Sequence, residues 1–218
     1  MFSHSEENYL KVIYTIELTK SKNVSTTLIA KKIHTKASSV TDMLKKLADK
    51  KLVNYEKYKG VSLTKKGKSI AVNIVRKHRL WEVFLVNKLN YNWDEVHEMA
   101  EQLEHIKSDS LINRLDAFLN FPKHDPHGDP IPDENENIAL HKNVMLSFIE
   151  ANNSCVVIGL KDSSSDFLKF LDNLNISLGS VLKVISKEAF DNSMIIENNN
   201  HIISISNQIS KNIFVKNL

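Results

Sequence analysis

The chain has 218 residues, 42% hydrophobic and 25% charged, a balance that supports folded cores and excludes a disordered or fibrous protein. No apolar run approaches the roughly 18 residues needed to cross a bilayer, the first residues lack a secretion-signal pattern, and the lone Cys155 excludes an internal disulfide framework. The net charge of +3 hides an asymmetry: residues 1–70 hold 15 Lys against 6 Asp/Glu, residues 71–150 hold 8 Lys/Arg against 14 Asp/Glu, and the rest balance.

A basic first third suits a polyanion and an acidic middle suits cations, in a reducing, cytoplasmic setting. Residues 5–18 place Tyr9, Ile13 and Ile16 at helical spacing, with Ser5 and Glu6/Glu7 as the expected start. Two short helical segments follow. Residues 24–34 set Leu28, Ile29 and Ile33 after a Ser/Thr cap, and residues 36–53 repeat Val40, Met43, Leu44 and Leu47 at steps of three and four. The tight turn between them predicts a helix-turn-helix. Next, Val53/Tyr55 and Val61/Leu63 alternate around a basic tip in which Gly60 can take positive φ, which predicts a two-stranded hairpin. Together these make a winged helix, with the charge excess on the elements that would touch DNA.

A long helix is expected over about 65–89, broken at Asn90–Trp93. The next helix contains EVHEMAEQLEHI (95–106), capped by Asn92 or Asp94, and another covers about 108–119. The stretch FPKHDPHGDPIPDENEN (121–137) holds all four prolines and is an irregular connector leading into a linker. From 138 onward SCVVIGL, VLKVISK, SMIIEN, HIISIS and NIFVKN are Val/Ile-rich strands, interrupted by a helix over 163–174. They suggest a small closed or partly closed barrel.

At 100° per residue, Val96, Met99, Ala100, Leu103 and Ile106 gather on one side of the 95–106 helix. His97, Glu101, Glu104 and His105 gather on the other, and Glu98 lies apart as a solvated residue. In RKHRLWEVFL, His78 and Glu82 stand at i and i+4, and the connector adds His124, Asp125 and His127. A single such pair is an ordinary surface contact. Four potential ligands on one face with no balancing Lys or Arg on it repel unless a cation neutralises them. Imidazole with carboxylate suits divalent first-row metals. No H-E-x-x-H, G-x-S-x-G or phosphate-cradling glycine loop is present, which argues against an enzyme. A di-metal carboxylate enzyme is the alternative of another class, yet it needs Glu-x-x-His contributions from four helices and two qualify here. A winged-helix regulator indifferent to metal, its carboxylates only a solvated face, is a third reading.

RKHRLWEVFL, the run V-H-E-x-A-E-x-L-E-H at 96–105 and FPKHDPHGDPIP together resemble the DtxR/MntR family of metal-dependent transcriptional repressors. The resemblance implies a mainly α protein with small β parts in three regions. These are a winged helix-turn-helix over 1–64, a helical metal-binding and dimerisation domain with its linker over 65–137, and an SH3-like C-terminal domain over 138–218. It implies two metal sites per subunit. The primary one would use Asn8, Glu101, Glu104 and His105. The second would use His78 and Glu82 with His97, or with Asp125 and His127, completed by Asp162 or Asp166. Glu101 is a hard oxygen donor, which favours Mn(II), with Fe(II) as the other candidate. Asn8 stands where the manganese branch usually has Asp, and Lys11 replaces a Glu of some members. The implied partners are a double-stranded DNA operator and a second copy of the chain, with no membrane and no organic cofactor. Ser38, Ser39, Thr41 and Asp42 would reach base edges, while Lys36, Lys45, Lys46, Lys57 and Lys59 would meet phosphates. Leu80, Trp81, Phe84, Leu85, Leu111, Leu115 and Phe118 are assigned to core and dimer interface.

Overall fold

The computed structural model describes residues 2–19, 23–56, 59–138 and 144–218. The chain forms two compact units, one of Met1–His78, Glu101–Asn113 and Pro132–Asn137, the other of Arg79–Ala100, Arg114–Ile131 and Ile138–Leu218.

In the first unit, α1 (His4–Thr19) opens on a reciprocal cap. Ser3 Oγ accepts from the Glu6 N–H at 3.3 Å and Glu6 Oε2 accepts from the Ser3 N–H at 3.1 Å. The start is therefore Ser3 rather than Ser5, because Ser3 has the glutamate three residues on that closes the box. Tyr9, Leu10, Ile13 and Tyr14 bury its inner face. Then α2 (Thr26–Lys32), capped by Ser25, turns into α3 (Ala37–Asp49), whose Val40, Leu44 and Leu47 are fully buried. Strands β1 (Val53–Glu56) and β2 (Gly60–Leu63) pair antiparallel from Val53↔Leu63 to Glu56↔Gly60. Val24 bridges Val61 on the far side of β2, through bonds of 2.8 and 2.9 Å. Gly60 has φ +93°, and a Cβ there would meet the Val24 carbonyl oxygen at 2.8 Å, so the wing requires glycine on both counts.

The helix over 65–89 forms as expected as α4 (Lys65–Leu89), followed by α5 (Val96–Leu103) and α6 (Asp109–Phe118). All three contribute residues to both units. Because α5 stops at Leu103, Glu104 and His105 lie in a turn and the 100° projection no longer governs them. Of the residues assigned to core and dimer interface, Leu80, Leu85 and Leu115 are buried within the chain, and Leu111 and Phe118 are 41% and 60% exposed on it.

The second unit contains an antiparallel sheet of β3 (Val144–Met145), β4 (Ser154–Leu160), β5 (Val181–Lys187), β6 (Met194–Asn198), β7 (His201–Ile205) and β8 (Ile213–Asn217). Its order is β3-β8-β4-β5-β6-β7. Register shifts at Val157/Gly159 and Val184/Ser186 interrupt the ladders and add bend, in keeping with an SH3-like domain. The helix α7 (Ser165–Asn173) packs Leu168 and Leu171 onto the sheet's core, while a short α8 (Asn207–Ser210) precedes β8. Among the described residues, no helix is long and apolar enough to cross a membrane.

Candidate metal centre and nucleic-acid interface

Within the second unit, Glu82 on α4 meets the proline-rich connector. One ligand atom each from Glu82, Asp125 and His127 lies within 4.8 Å of the others, and all three residues are buried. Proline-framed turns build the connector's side. Asp125 N–H donates to the Asp129 carbonyl at 3.0 Å, and Asp125 Oδ1 accepts from the backbone N–H of His127 at 2.8 Å and of Asp129 at 3.0 Å. Gly128, at φ +87°, closes the turn, and Leu160 N–H on β4 donates to the His127 carbonyl at 2.9 Å. A Cβ on Gly128 would fall 2.3 Å from Gly159 Cα, so the connector lies directly on the β4 backbone.

The tautomer of His127 follows from its partners. Its Nε2 lies 2.8 Å from the Trp93 carbonyl, which can only accept, so Nε2 carries a hydrogen and Nδ1 faces Glu82 Oε2 at 3.6 Å. Glu82 Oε1 lies 3.4 Å from Nδ1 of the exposed His97. Trp93 is held in turn by its indole N–H to Asp172 Oδ2 at 2.9 Å. Burial pushes Asp125 up to about 7, aided by the charges of Glu82 and Asp129 and opposed by Arg79 and His127. Burial works against a charged His127, but the Glu82 bond and the Glu82 and Asp125 charges outweigh it and raise it to about 9. Without a metal the set therefore retains protons where a cation would be equally satisfied. Two carboxylates and a neutral imidazole are a donor set suited to Mn(II), Fe(II) or Zn(II). The soft thiol of Cys155 is no part of it: it is fully buried in the β core, where burial pushes it up to about 11.

Asp162 and Asp166 bring no oxygen into this set. Asp162 Oδ1 accepts from the Ser164 N–H at 2.9 Å, capping the approach to α7, and Asp166 is exposed. The expected helix cap at Asp94 has its carboxylate beside Ser165 Oγ at 3.3 Å and Lys169 Nζ at 3.6 Å. Arg79, Asp129 and Trp93 are neighbours of the set that sequence reasoning missed. The first two follow from spacing only once the turn is known, and Trp93 acts through a backbone carbonyl, which leaves no signal in sequence.

The other expected donors lie in the first unit. Among the described residues, Glu101, Glu104 and His105 do not form a set with ligand atoms within 4.8 Å of one another. Glu104 is 1% exposed and Glu101 is exposed. Lys11 Nζ lies 2.7 Å from Glu104 Oε1, 2.9 Å from its Oε2 and 3.3 Å from Glu101 Oε1. His78 Nδ1 meets the same Glu104 at 2.6 Å. Burial works to raise Glu104, but His78 and Lys11 outweigh it and hold the carboxyl below its usual value. His105 Nδ1 pairs with Glu7 Oε2 at 2.6 Å, and its ring stacks on His4 at 4.2 Å. Asn8 Oδ1 is buried without a hydrogen-bond partner.

Of the expected nucleic-acid contacts, Lys36, Ser38, Ser39, Asp42, Lys45 and Lys46 are exposed along the start and outer face of α3. Thr41 Oγ1 donates to the Ala37 carbonyl at 3.0 Å, and Lys45 lies 3.6 Å from Asp42. Lys59, at the wing, pairs with Glu56 at 2.7 Å, while Lys57 lies outside the described residues.

Residues 1–61 match the iron dependent repressor N-terminal DNA binding domain, and residues 64–133 match the iron dependent repressor metal binding and dimerisation domain. Residues 144–217 match the FeoA domain. The chain is 40% identical over 117 residues to an uncharacterized HTH-type transcriptional regulator of Methanocaldococcus jannaschii, covering 54% of this chain and 94% of that protein. It is 36% identical over 122 residues to the HTH-type transcriptional regulator MntR of Oceanobacillus iheyensis, covering 56% of this chain and 81% of that one. A solved structure, a manganese-dependent transcriptional repressor in complex with manganese, superposes with TM-score 0.86 at 35% identity, over 98% of this chain and 100% of that one. The chain belongs to the DtxR/MntR family. As a DtxR/MntR-family protein it is a metal-responsive, DNA-binding transcriptional repressor of metal homeostasis, and the family's members are repressors rather than enzymes.

Proposed function

We propose that this repressor answers to Mn(II), with Fe(II) as the second candidate, held by Glu82, Asp125 and His127. The observation that carries this reading is the burial of two carboxylates and an imidazole with ligand atoms within 4.8 Å of one another. A bound dication would supply the positive charge that otherwise comes from retained protons. Glu82 and Asp125 would hold it through carboxylate oxygens and His127 through Nδ1, which would link the connector to α4. Because α4 is one continuous helix from Lys65 to Leu89, holding Glu82 still restricts the helix that follows the wing. Loading thereby selects conformers competent for DNA. His97, beside the other Glu82 oxygen, is a further donor within reach. A manganese-bearing relative of similar fold and the absence of any soft donor in the set support Mn(II) over softer-metal chemistry.

The repressor acts as a homodimer in the cytoplasm, placing two α3 helices in successive major grooves of an operator. Support for the dimer comes from the match of residues 64–133 to a dimerisation domain and from the exposed Leu89, Phe118 and Phe121. Ser38, Ser39, Thr41 and Asp42 reach base edges, and the exposed lysines of α3 and the wing neutralise phosphates. The test is a selection of duplexes from a random library with Mn(II) present, followed by binding with Mn(II), anaerobic Fe(II), Zn(II) and chelator. Enrichment that needs Mn(II) or Fe(II) supports the reading, and enrichment indifferent to chelator contradicts it.

A further inference from the structure

The cluster formed by α1 and the segment after α5 has a cation of its own. Lys11 Nζ sits within 2.7–3.3 Å of oxygens from both Glu104 and Glu101. The contact is not a solvated surface pair on Glu104's side: the Lys11 side chain is 13% exposed and that of Glu104 is wholly buried. The 93-residue separation between Lys11 and Glu104 makes this a tertiary tie. Both Glu104 oxygens lie within 3 Å of the ammonium, while His78 Nδ1 takes a further contact at 2.6 Å. His105, the cluster's imidazole, faces Glu7 at 2.6 Å and stays 3.9 Å from Glu104.

We propose that the Lys11 ammonium is the resident cation of the Glu101–Glu104 pair, tying α1 to the last turn of α5 and the turn after it with no metal bound. An incoming dication would have to displace an ammonium already touching both glutamates, or bind beside it against like-charge repulsion. Asn8, which the family resemblance offers as a further donor, could contribute at most a neutral amide oxygen; its Oδ1 is buried without a hydrogen-bond partner. The metal response then falls to the site built on Glu82, Asp125 and His127; this corollary rests on the function proposed above.

The experiment measures Mn(II) per full-length chain after equilibrium dialysis and the melting temperature in EDTA and in Mn(II). The proteins are wild type, Lys11→Glu, Lys11→Met and the double variant Asp125→Asn/His127→Ala. The expected result is one Mn(II) in wild type, lost in the double variant, and a second Mn(II) in Lys11→Glu. Lys11→Met, which keeps the stem and removes the charge, should melt below wild type in EDTA and regain stability with Mn(II). It serves in place of Lys11→Glu if the latter does not fold. Two Mn(II) in wild type, one surviving the double substitution, overturns the Lys11 proposal and leaves the Glu82 site standing. Wild type without Mn(II) but with a gain in Lys11→Glu or Lys11→Met overturns the Glu82 site and leaves the Lys11 proposal standing. Folded Lys11 variants that gain no metal and melt like wild type in EDTA also overturn the Lys11 proposal.

Discussion

Glu82 Oε2 lies 3.6 Å from His127 Nδ1 in a corner where the two residues are 2% and 4% exposed. A buried carboxylate beside a buried imidazole needs either a proton or a metal between them. His127→Ala removes the nitrogen and leaves the Glu82 and Asp125 charges unneutralised. Its Mn(II) affinity should fall by roughly a hundredfold or more, since even the outer partners of metal ligands cost 10–100-fold. Isothermal titration with Mn(II) checks this, and unchanged affinity would remove His127 from the donor set.

The same corner sets a pH dependence. His127, raised to about 9, holds its proton at neutral pH, and Asp125, raised to about 7, holds one part of the time. Metal and proton compete for the same lone pairs, so loading must expel protons. Mn(II) affinity should therefore rise as pH goes from 6 to 8, by roughly tenfold per unit for each proton fully displaced. Calorimetry in two buffers of different ionisation enthalpy measures the protons released. Binding with no release would contradict these assignments.

Gly128 joins the donor loop to β4. A Cβ there would strike Gly159 Cα at 2.3 Å and the Ile158 carbonyl oxygen at 2.4 Å, and the backbone is at φ +87°. Gly128→Ala should cost about 2–3 kcal/mol in the stability of this unit, through strain and displaced backbone. It should also weaken Mn(II) binding, because His127 is its neighbour. Denaturant unfolding and metal titration on the same variant test the two effects together, and a neutral substitution would mean that the connector is not seated on β4.

Lys45 and Lys46 project from α3 into solvent. Replacing each by Ala should weaken binding to all duplexes alike and lower the slope of log K against log salt by roughly one per lost phosphate contact. Anisotropy titrations at several salt concentrations measure the slope. A loss confined to one base position would assign that lysine to base recognition instead.

Much of the fold is legible because its signals are local. The Val40–Leu44–Leu47 spacing marks α3, Gly60 marks the wing, and the Val/Ile runs mark the strands that build the β core. The two residues of β3 and the four of α8 are too short to leave a period. For the site, residue types were readable and partners were not. Glu104 and His105 look like one helical face with Glu101, but α5 ends at Leu103 and the turn buries Glu104 while Glu101 stays exposed. Lys11 appears in sequence as a departure from a family pattern. That its ammonium reaches Glu104 depends on how α1 packs, which spacing does not encode.

The most direct test of the central claim compares one selected, labelled duplex bound by wild type and by Asp125→Asn/His127→Ala, each in Mn(II) and in EDTA. Wild type should bind at least about tenfold more tightly in Mn(II) than in EDTA, a coupling of about 1.4 kcal/mol, and the double variant should bind weakly in both. Wild-type affinity unchanged by EDTA, or a double variant that still answers to Mn(II), would contradict the account.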